Sequence, residues 1–273
     1  MESTTESTKK KVLFVSSEMS PFLEESPVST IARFIPQAIQ EQEHEIRILV
    51  PRFGVINERR NKLHEVVRLS GINITIDDND NPLIIKVASI PQTKMQVYFL
   101  DNEDYFHRKY VYNDENENFF NDNDERTIFF CKGVMETVKK LGWSPDIIHC
   151  QGWMTSLIPL YLKTIYKDEP VFRNSKLVYS VFGKEFEETL GQDFARKASL
   201  NELEDSQLEC FSNGDHNGLQ MGGVAHADAI IKCGESFSDE LQAKMDEKPS
   251  MTHSDDEIAQ RYSDFYDSVI AAN

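Results

Sequence analysis

Positive charge is scarce in this sequence. Its 273 residues carry 29 Lys+Arg against 46 Asp+Glu, a formal net charge of −17. Nucleic-acid backbones and anionic membrane surfaces select for Lys and Arg, so neither is expected as a partner. Cysteine is also sparse: Cys131, Cys150, Cys210 and Cys233 stand far apart, with no C-x-x-C pair. That predicts reduced thiols in a cytoplasmic protein, in place of a disulfide framework or a zinc site. Uncharged apolar runs of about 18 residues are missing, so no membrane span is expected. The first ten residues have no apolar stretch behind their charges; they predict a disordered polar tail over 1–10 and no signal peptide. G-x-G-x-x-G, G-x-x-x-x-G-K-[ST] and H-E-x-x-H are all absent, which removes the main support for dinucleotide, P-loop and zinc-protease sites. Asp78-Asn-Asp80 and Asp122-Asn-Asp124 are D-x-D triplets, but so acidic a chain produces these by chance. Asp78-Asn-Asp-Asn81 also lacks the glycine at the sixth position of a calcium loop. Neither a metal nor another cofactor is expected.

What the chain does have is a core. Apolar residues make up 40% of it, with 17 Phe, which excludes wholesale disorder. Lys11-Val-Leu-Phe-Val-Ser-Ser17 reads as a buried parallel strand. Ser26-Pro27 supplies an N-cap and a first-turn proline, and Val28, Ile31, Ala32, Ile35 and Ile39 follow at helical spacing. Glu45-Ile-Arg-Ile-Leu-Val50 is the next strand. Between 63 and 100 the pattern shifts to short strands (66–69, 72–76, 83–90 and 95–100), with a turn over 77–82. Helix 126–141, strand 146–150, helix 155–166, strand 177–181, helix 219–227, strand 229–232 and helix 236–244 follow. This alternation predicts an α/β fold, a doubly wound, mostly parallel Rossmann-like sheet with a β-rich insertion. Gly214, Gly218 and Gly222 recur every fourth residue, as expected for close helix packing. One domain is expected over 11–244, with 245–273 a linker and a weakly amphipathic helix (258–270) whose docking partner the pattern does not name.

Several motifs, in order, resemble the bacterial glycogen/starch synthases. Val12-Leu-Phe-Val-Ser-Ser-Glu-Met-Ser-Pro-Phe22 is similar to their opening strand, and Leu49-Val-Pro-Arg-Phe-Gly54 to their Pro-Lys-Tyr-Gly turn. Asp122-Asn-Asp-Glu-Arg126 resembles their Asp-Asn-x-x-Arg-Phe. Pro145-Asp-Ile-Ile-His-Cys-Gln-Gly-Trp153 resembles Pro-Asp-Val-Val-His-x-His-Asp-Trp, and Leu157-Ile-Pro-Leu-Tyr-Leu162 their Leu-x-Pro-x-Tyr-Leu. Ala225-His-Ala-Asp-Ala229 ahead of Phe237-Ser-Asp-Glu240 resembles their Tyr-Ala-Asp and Ser-Pro-x-Tyr-x-x-Glu. The match runs from Lys11 to about Leu241. It implies the N-terminal, acceptor-side half of a GT-B architecture, related to α-1,4-glucan synthesis from ADP-glucose. The stretch after Leu241 is too short for the donor domain of that family.

The departures bear on the chemistry. Where the family has Pro-Phe-x-Lys-Thr-Gly-Gly-Leu at its phosphate-side loop, this chain has Pro21-Phe-Leu-Glu-Glu-Ser-Pro-Val28. Glu24 thus replaces a lysine, and Ser26 and Pro27 replace the glycine pair; Pro27 has no N–H to offer a phosphate. The second histidine of His-x-His-Asp-Trp is Gln151, which donates hydrogen bonds but carries no proton for catalysis. The Thr-Ile-His-Asn segment is Ser180-Val-Phe-Gly183. These changes imply a degenerate donor loop at Glu24, Ser26 and Pro27, and no intact catalytic set. His149, Gln151, Trp153, Asp122, Asn123 and Arg126 are candidates for cleft or glucan contact. The expected function is glucan or partner binding in glycogen metabolism without independent catalysis. The expected partners are an α-glucan or malto-oligosaccharide, a glycogen-metabolism enzyme, or a second copy on the face that would meet a donor domain. The alternatives are a half-site glucosyltransferase completed by a second polypeptide, and a structural or regulatory interaction module.

Overall fold

The computed structural model describes residues 9–272. Positions 1–8 of the expected tail lie outside the described residues, while Lys10 is buried and ion-paired to Asp267 at 2.9 Å. The apolar run forms β1 (Lys11–Ser16), whose side chains are almost wholly inaccessible. Helix α1 (Pro27–Glu41) starts where Ser-Pro places it. The Ser29 N–H donates to Ser26 Oγ (3.0 Å), the Ser26 N–H donates to Ser29 Oγ (2.8 Å), and Pro27 takes the first turn. This reciprocal cap predicts that Ser26→Ala loses about 1 kcal/mol. Thermal denaturation checks it, with an expected drop in Tm of about 2–4 °C. The apolar stripe of α1 lies on the sheet, and β2 (Glu45–Pro51) returns parallel to β1.

The β-rich segment extends the same sheet. After the short α2 (Glu58–Asn61) come β3 (His64–Glu65), β4 (Ile72–Ile76), β5 (Asn79–Ser89) and β6 (Gln96–Asp101). β6 pairs parallel with β2, whereas β5 runs antiparallel to β6, β4 and β3. Two expectations differ here. The turn expected over 77–82 is only two residues long, because Asp77 and Asp78 both adopt positive φ (50° and 64°), so that β5 begins at Asn79 and pairs with Ile76. Residues 66–69 form a turn closed by the Leu69 N–H on the Val66 carbonyl (2.8 Å); only His64 and Glu65 pair as a strand.

Alternation then resumes: α3 (Glu103–Phe106), α4 (Asn123–Leu141), β7 (Ile147–Gln151), α5 (Leu157–Lys163), β8 (Lys176–Val181), α6 (Phe194–Ala198), α7 (His216–His226), β9 (Ala229–Lys232) and α8 (Asp239–Asp246). With a last strand β10 (Ser250–Thr252), the sheet order is β10-β9-β8-β7-β1-β2-β6-β5-β3, with β4 on β5. Two of the three spaced glycines lie on α7 and allow close approach: a Cβ on Gly222 would lie 2.1 Å from the Phe211 ring, and one on Gly218 2.4 Å from the Cys210 carbonyl oxygen. Gly214 precedes the helix and takes left-handed backbone (φ 61°).

Residues 247–272, expected as a linker and a helix, join the same fold. Strand β10 pairs parallel with β9, and α9 (Ile258–Ala271) packs on α1 with Tyr262, Tyr266 and Val269 buried. The apolar face that the sequence shows as weakly amphipathic therefore belongs to this core, and a boundary at 244 would cut through one sheet. Among the described residues no helix is long and apolar enough to cross a membrane.

Candidate functional site

β2 lies on one side of β1 and β7 on the other. The chain thus leaves β1 in opposite directions, and in such sheets a crevice opens beyond the strand C-termini at this point. A cavity of about 930 Å³ lies there, within the size range of small-molecule sites. The loop after β1 contributes Glu18 and Ser26–Val28, the loop before α4 contributes Tyr112, Asn113 and Phe119, and the turn after β7 contributes Trp153. Residues 182–188 after β8 and 233–236 after β9 close the remaining walls. A second hollow of about 620 Å³ shares Phe182, Lys184, Phe186, Glu187 and Ser236, and reaches His216 and Phe237. Together they form an elongated groove.

Its walls are aromatic and its charge is negative. Trp153 packs against Tyr112 (5.1 Å between centroids) and Phe186 (5.0 Å), and Phe119 stacks on Phe186 (5.2 Å, 20°). Carboxylates come from Glu18, Glu185, Glu187, Glu188 and Glu235, against the single cation Lys184, whose Nζ is bound to Glu187. Burial pushes the Glu185 carboxyl up and Glu18 adds to this, while His216, with Nε2 3.6 Å from Glu185 Oε1, acts in the opposite direction. Burial likewise pushes the Tyr112 phenol up. Such a surface accepts hydroxyl protons and stacks on ring faces; it offers little to an anion.

The residues singled out from sequence fall into three places. Ser26, Pro27 and Trp153 line the cavity, and Trp153 is 1% exposed. Glu24 is exposed beside the loop and is not among the lining residues; its carbonyl accepts from Ser29 Oγ (2.9 Å). The negative potential inside comes instead from the 185–188 run and Glu18.

His149 and Gln151 are fully buried beneath the cleft. His149 bonds to Ser180 Oγ (2.7 Å) and Tyr266 OH (2.8 Å), and burial holds its imidazole at about 3. The Gln151 amide makes no hydrogen bond to the protein.

Asp122, Asn123 and Arg126 act on a loop. Asp122 pairs with Arg108, and the Asn123 amide donates to the Tyr112 carbonyl (2.9 Å). Arg126 is wholly inaccessible: its Nε donates to the Tyr105 carbonyl (2.8 Å), Nη2 to the Val111 carbonyl (2.8 Å) and Nη1 to Asn123 Oδ1. Together they hold the loop that delivers Tyr112 and Phe119 to the cleft. Sequence reasoning missed Glu185, Tyr112, Phe186 and His216. The available signal was the run Lys184-Glu-Phe-Glu-Glu188 directly behind a parallel strand.

Glu58, Asp101 and His107 lie at metal-ligand spacing, but Lys86 Nζ sits 2.6 Å from Glu58 and 2.8 Å from Asp101, so an ammonium already supplies the cation. In the D-x-D triplets, Asp80 accepts from Thr75 (2.7 Å) and Asp124 from Lys197 (2.8 Å).

The sheet and crevice are those of a doubly wound α/β domain that takes its ligand beyond the strand C-termini. Residues 11–253 match the family model described as the starch synthase catalytic domain. A glycogen synthase of Pelodictyon phaeoclathratiforme is 40% identical over 232 residues, which is 85% of this chain and 47% of that protein. One from Chlorobium limicola is 38% identical over the same coverage. The catalytic domain of starch synthase IV from Arabidopsis thaliana, solved bound to ADP and acarbose, superposes with a TM-score of 0.68 over 82% of this chain and 45% of that one. At 17% identity that likeness is one of fold. The chain belongs to the glycogen/starch synthase family and spans about half the length of the curated relatives it matches.

Proposed function

We propose that this chain is an acceptor-side member of the glycogen/starch synthase family that binds α-glucan and does not by itself transfer glucose from ADP-glucose. The charge of the cleft carries the reading: five glutamates line it, and its one lysine is bound to a glutamate. Transfer from a sugar nucleotide needs cations or backbone N–H groups on the departing diphosphate. Here the start of α1 spends the Ser29 N–H on Ser26 Oγ, and Pro27 has none to give. A neutral glucan meets no such repulsion, and its ring faces match the half-buried Phe119 and Phe186 in the wall. The arabidopsis relative was solved with a saccharide, acarbose, as well as ADP; this cleft fits the first kind of ligand and opposes the second. Four unbridged cysteines suit a reducing compartment such as the cytoplasm.

Calorimetry with maltoheptaose and, separately, with ADP-glucose tests the reading. Heat is expected only from the glucan, and no labelled glucose is expected to enter glycogen. ADP-glucose binding tighter than the glucan, or label incorporated by the pure protein, overturns it. Incorporation that needs a second polypeptide assigns the chain to a shared active site.

A further inference from the structure

Helix α9 is held against the body of the fold by imidazole–hydroxyl contacts within little more than one of its turns. Tyr266 OH lies 2.8 Å from His149 Nδ1 on β7, and Tyr262 OH lies 2.9 Å from Nδ1 of His253, just past β10. Between them Ser263 Oγ is 3.5 Å from Nε2 of His44, in the turn between α1 and β2. Three of the seven histidines in the chain thus meet three consecutive inward hydroxyls of one helix. We propose that this seam is a pH-sensitive latch, in which protonation of the histidines releases α9 and β10 from the sheet while the remaining fold stays closed.

At His44 the hydrogen bonds require a neutral ring, whereas the hydroxyls facing His149 and His253 can donate or accept, so there it is burial that opposes a second proton. His44 Nδ1 accepts the backbone N–H of Lys10 (3.2 Å), so its proton sits on Nε2, facing Ser263, whose own hydroxyl donates to Gln42. A second proton on His44 would set N–H against N–H and break the contact. His149, between Ser180 and Tyr266, is fully buried, and the charged neighbour acting on it is His253, which opposes a second positive charge. Its other ionisable neighbours are the phenols of Tyr262 and Tyr266. Around His44, Lys10 and Lys9 oppose protonation and Asp267 of α9 favours it; around His253, Asp255 favours it and Arg261 opposes it. Burial is the largest influence on all three, and holds each below the ordinary imidazole value.

The sign follows. Released histidines take up protons as pH falls below about 6.5, whereas docked ones do not, so docking is fully favoured above that value and weakens progressively below it. The opening is local because β10 is a three-residue strand at the end of the sheet order, while β1 and β7 are each paired on both sides.

Hydrogen exchange of the full chain, corrected for the intrinsic pH dependence of amide exchange, tests this at pH 7.5 and pH 5.0. Protection over 258–271 is expected to fall about tenfold or more at the lower pH, the factor carried by one unit of pKa difference, with β1 and β7 unchanged. Substituting His44→Gln and His253→Gln together is expected to reduce that response by about threefold or more, leaving the part carried by His149. Equal protection at the two pH values, parallel loss in β7, or a full response in the double variant overturns the proposal. Should the double variant not fold, an NMR titration of the wild-type imidazoles decides. Midpoints for His44 and His253 at or above 6.5 overturn the latch, and midpoints below it support the latch.

Discussion

Gly152→Asp is expected to lower folding stability by about 4 kcal/mol, although aspartate is what the resembling family motif carries there. Gly152 ends the turn from β7 into Trp153 with φ 82° and ψ 157°, a backbone region essentially restricted to glycine. An added Cβ would lie 1.9 Å from Ser17 Oγ and 3.1 Å from Val28 Cγ1. Ser17 is fully buried. Backbone strain costs about 1–3 kcal/mol and the steric overlap a similar amount. A carboxylate placed beside buried Gln151 adds a desolvation penalty to both. Urea or thermal denaturation checks this, with Tm expected to fall by roughly 10 °C. Gly152→Ala separates the terms, because it keeps the strain and overlap and omits the charge. Wild-type stability of the aspartate variant would show that this turn is not built as described.

Arg126→Met is expected to cost about 3–5 kcal/mol and to weaken glucan binding without touching the cleft. The guanidinium lies among Phe53, Phe106 and Phe120, 5.3–5.5 Å from each ring centroid. Burial, reinforced by Arg108, lowers its pKa to about 10. Methionine fills much of the space but leaves the Tyr105 and Val111 carbonyls and the Asn123 amide oxygen without their donor, each a loss of about 1–3 kcal/mol when buried. Because those groups fix the loop before α4, Tyr112 and Phe119 lose their position against Trp153. Thermal denaturation and maltoheptaose calorimetry check the two halves of the expectation. A stable variant with normal glucan affinity would remove Arg126 from any positioning role.

How far the sequence carried the fold depended on where each signal was local. The α1 cap was legible because Ser-Pro acts within four residues, and β9 was placed at its observed limits (Ala229–Lys232) because an apolar run bounded by polar residues needs no partner to be read. The tight β4–β5 turn was misread because Asp77 and Asp78 adopt left-handed backbone only when both strands demand it. The role of α9 was hidden for a related reason: an amphipathic stripe shows that something is covered, not that it is α1 and His149. In the cleft, order of motifs brought out Trp153 and the Ser26-Pro27 loop. It gave Asn123 and Arg126 the wrong task, since a buried guanidinium that braces a loop has the same letters as one that meets a ligand. Glu185 escaped because its importance lies in facing Glu18 and His216 across chain separations that no linear pattern spans.

The ion pair between Lys10 and Asp267 has a topological corollary. It sets the first strand beside the last helix, five residues short of the final described position, which is less than two helical turns. A short peptide bridge from residue 9 to residue 272 would therefore follow a neighbourhood that this ion pair already closes. The order in which this sheet is threaded is thus separable from the sheet itself, and new termini opened in the exposed 91–94 turn would leave every parallel pairing intact.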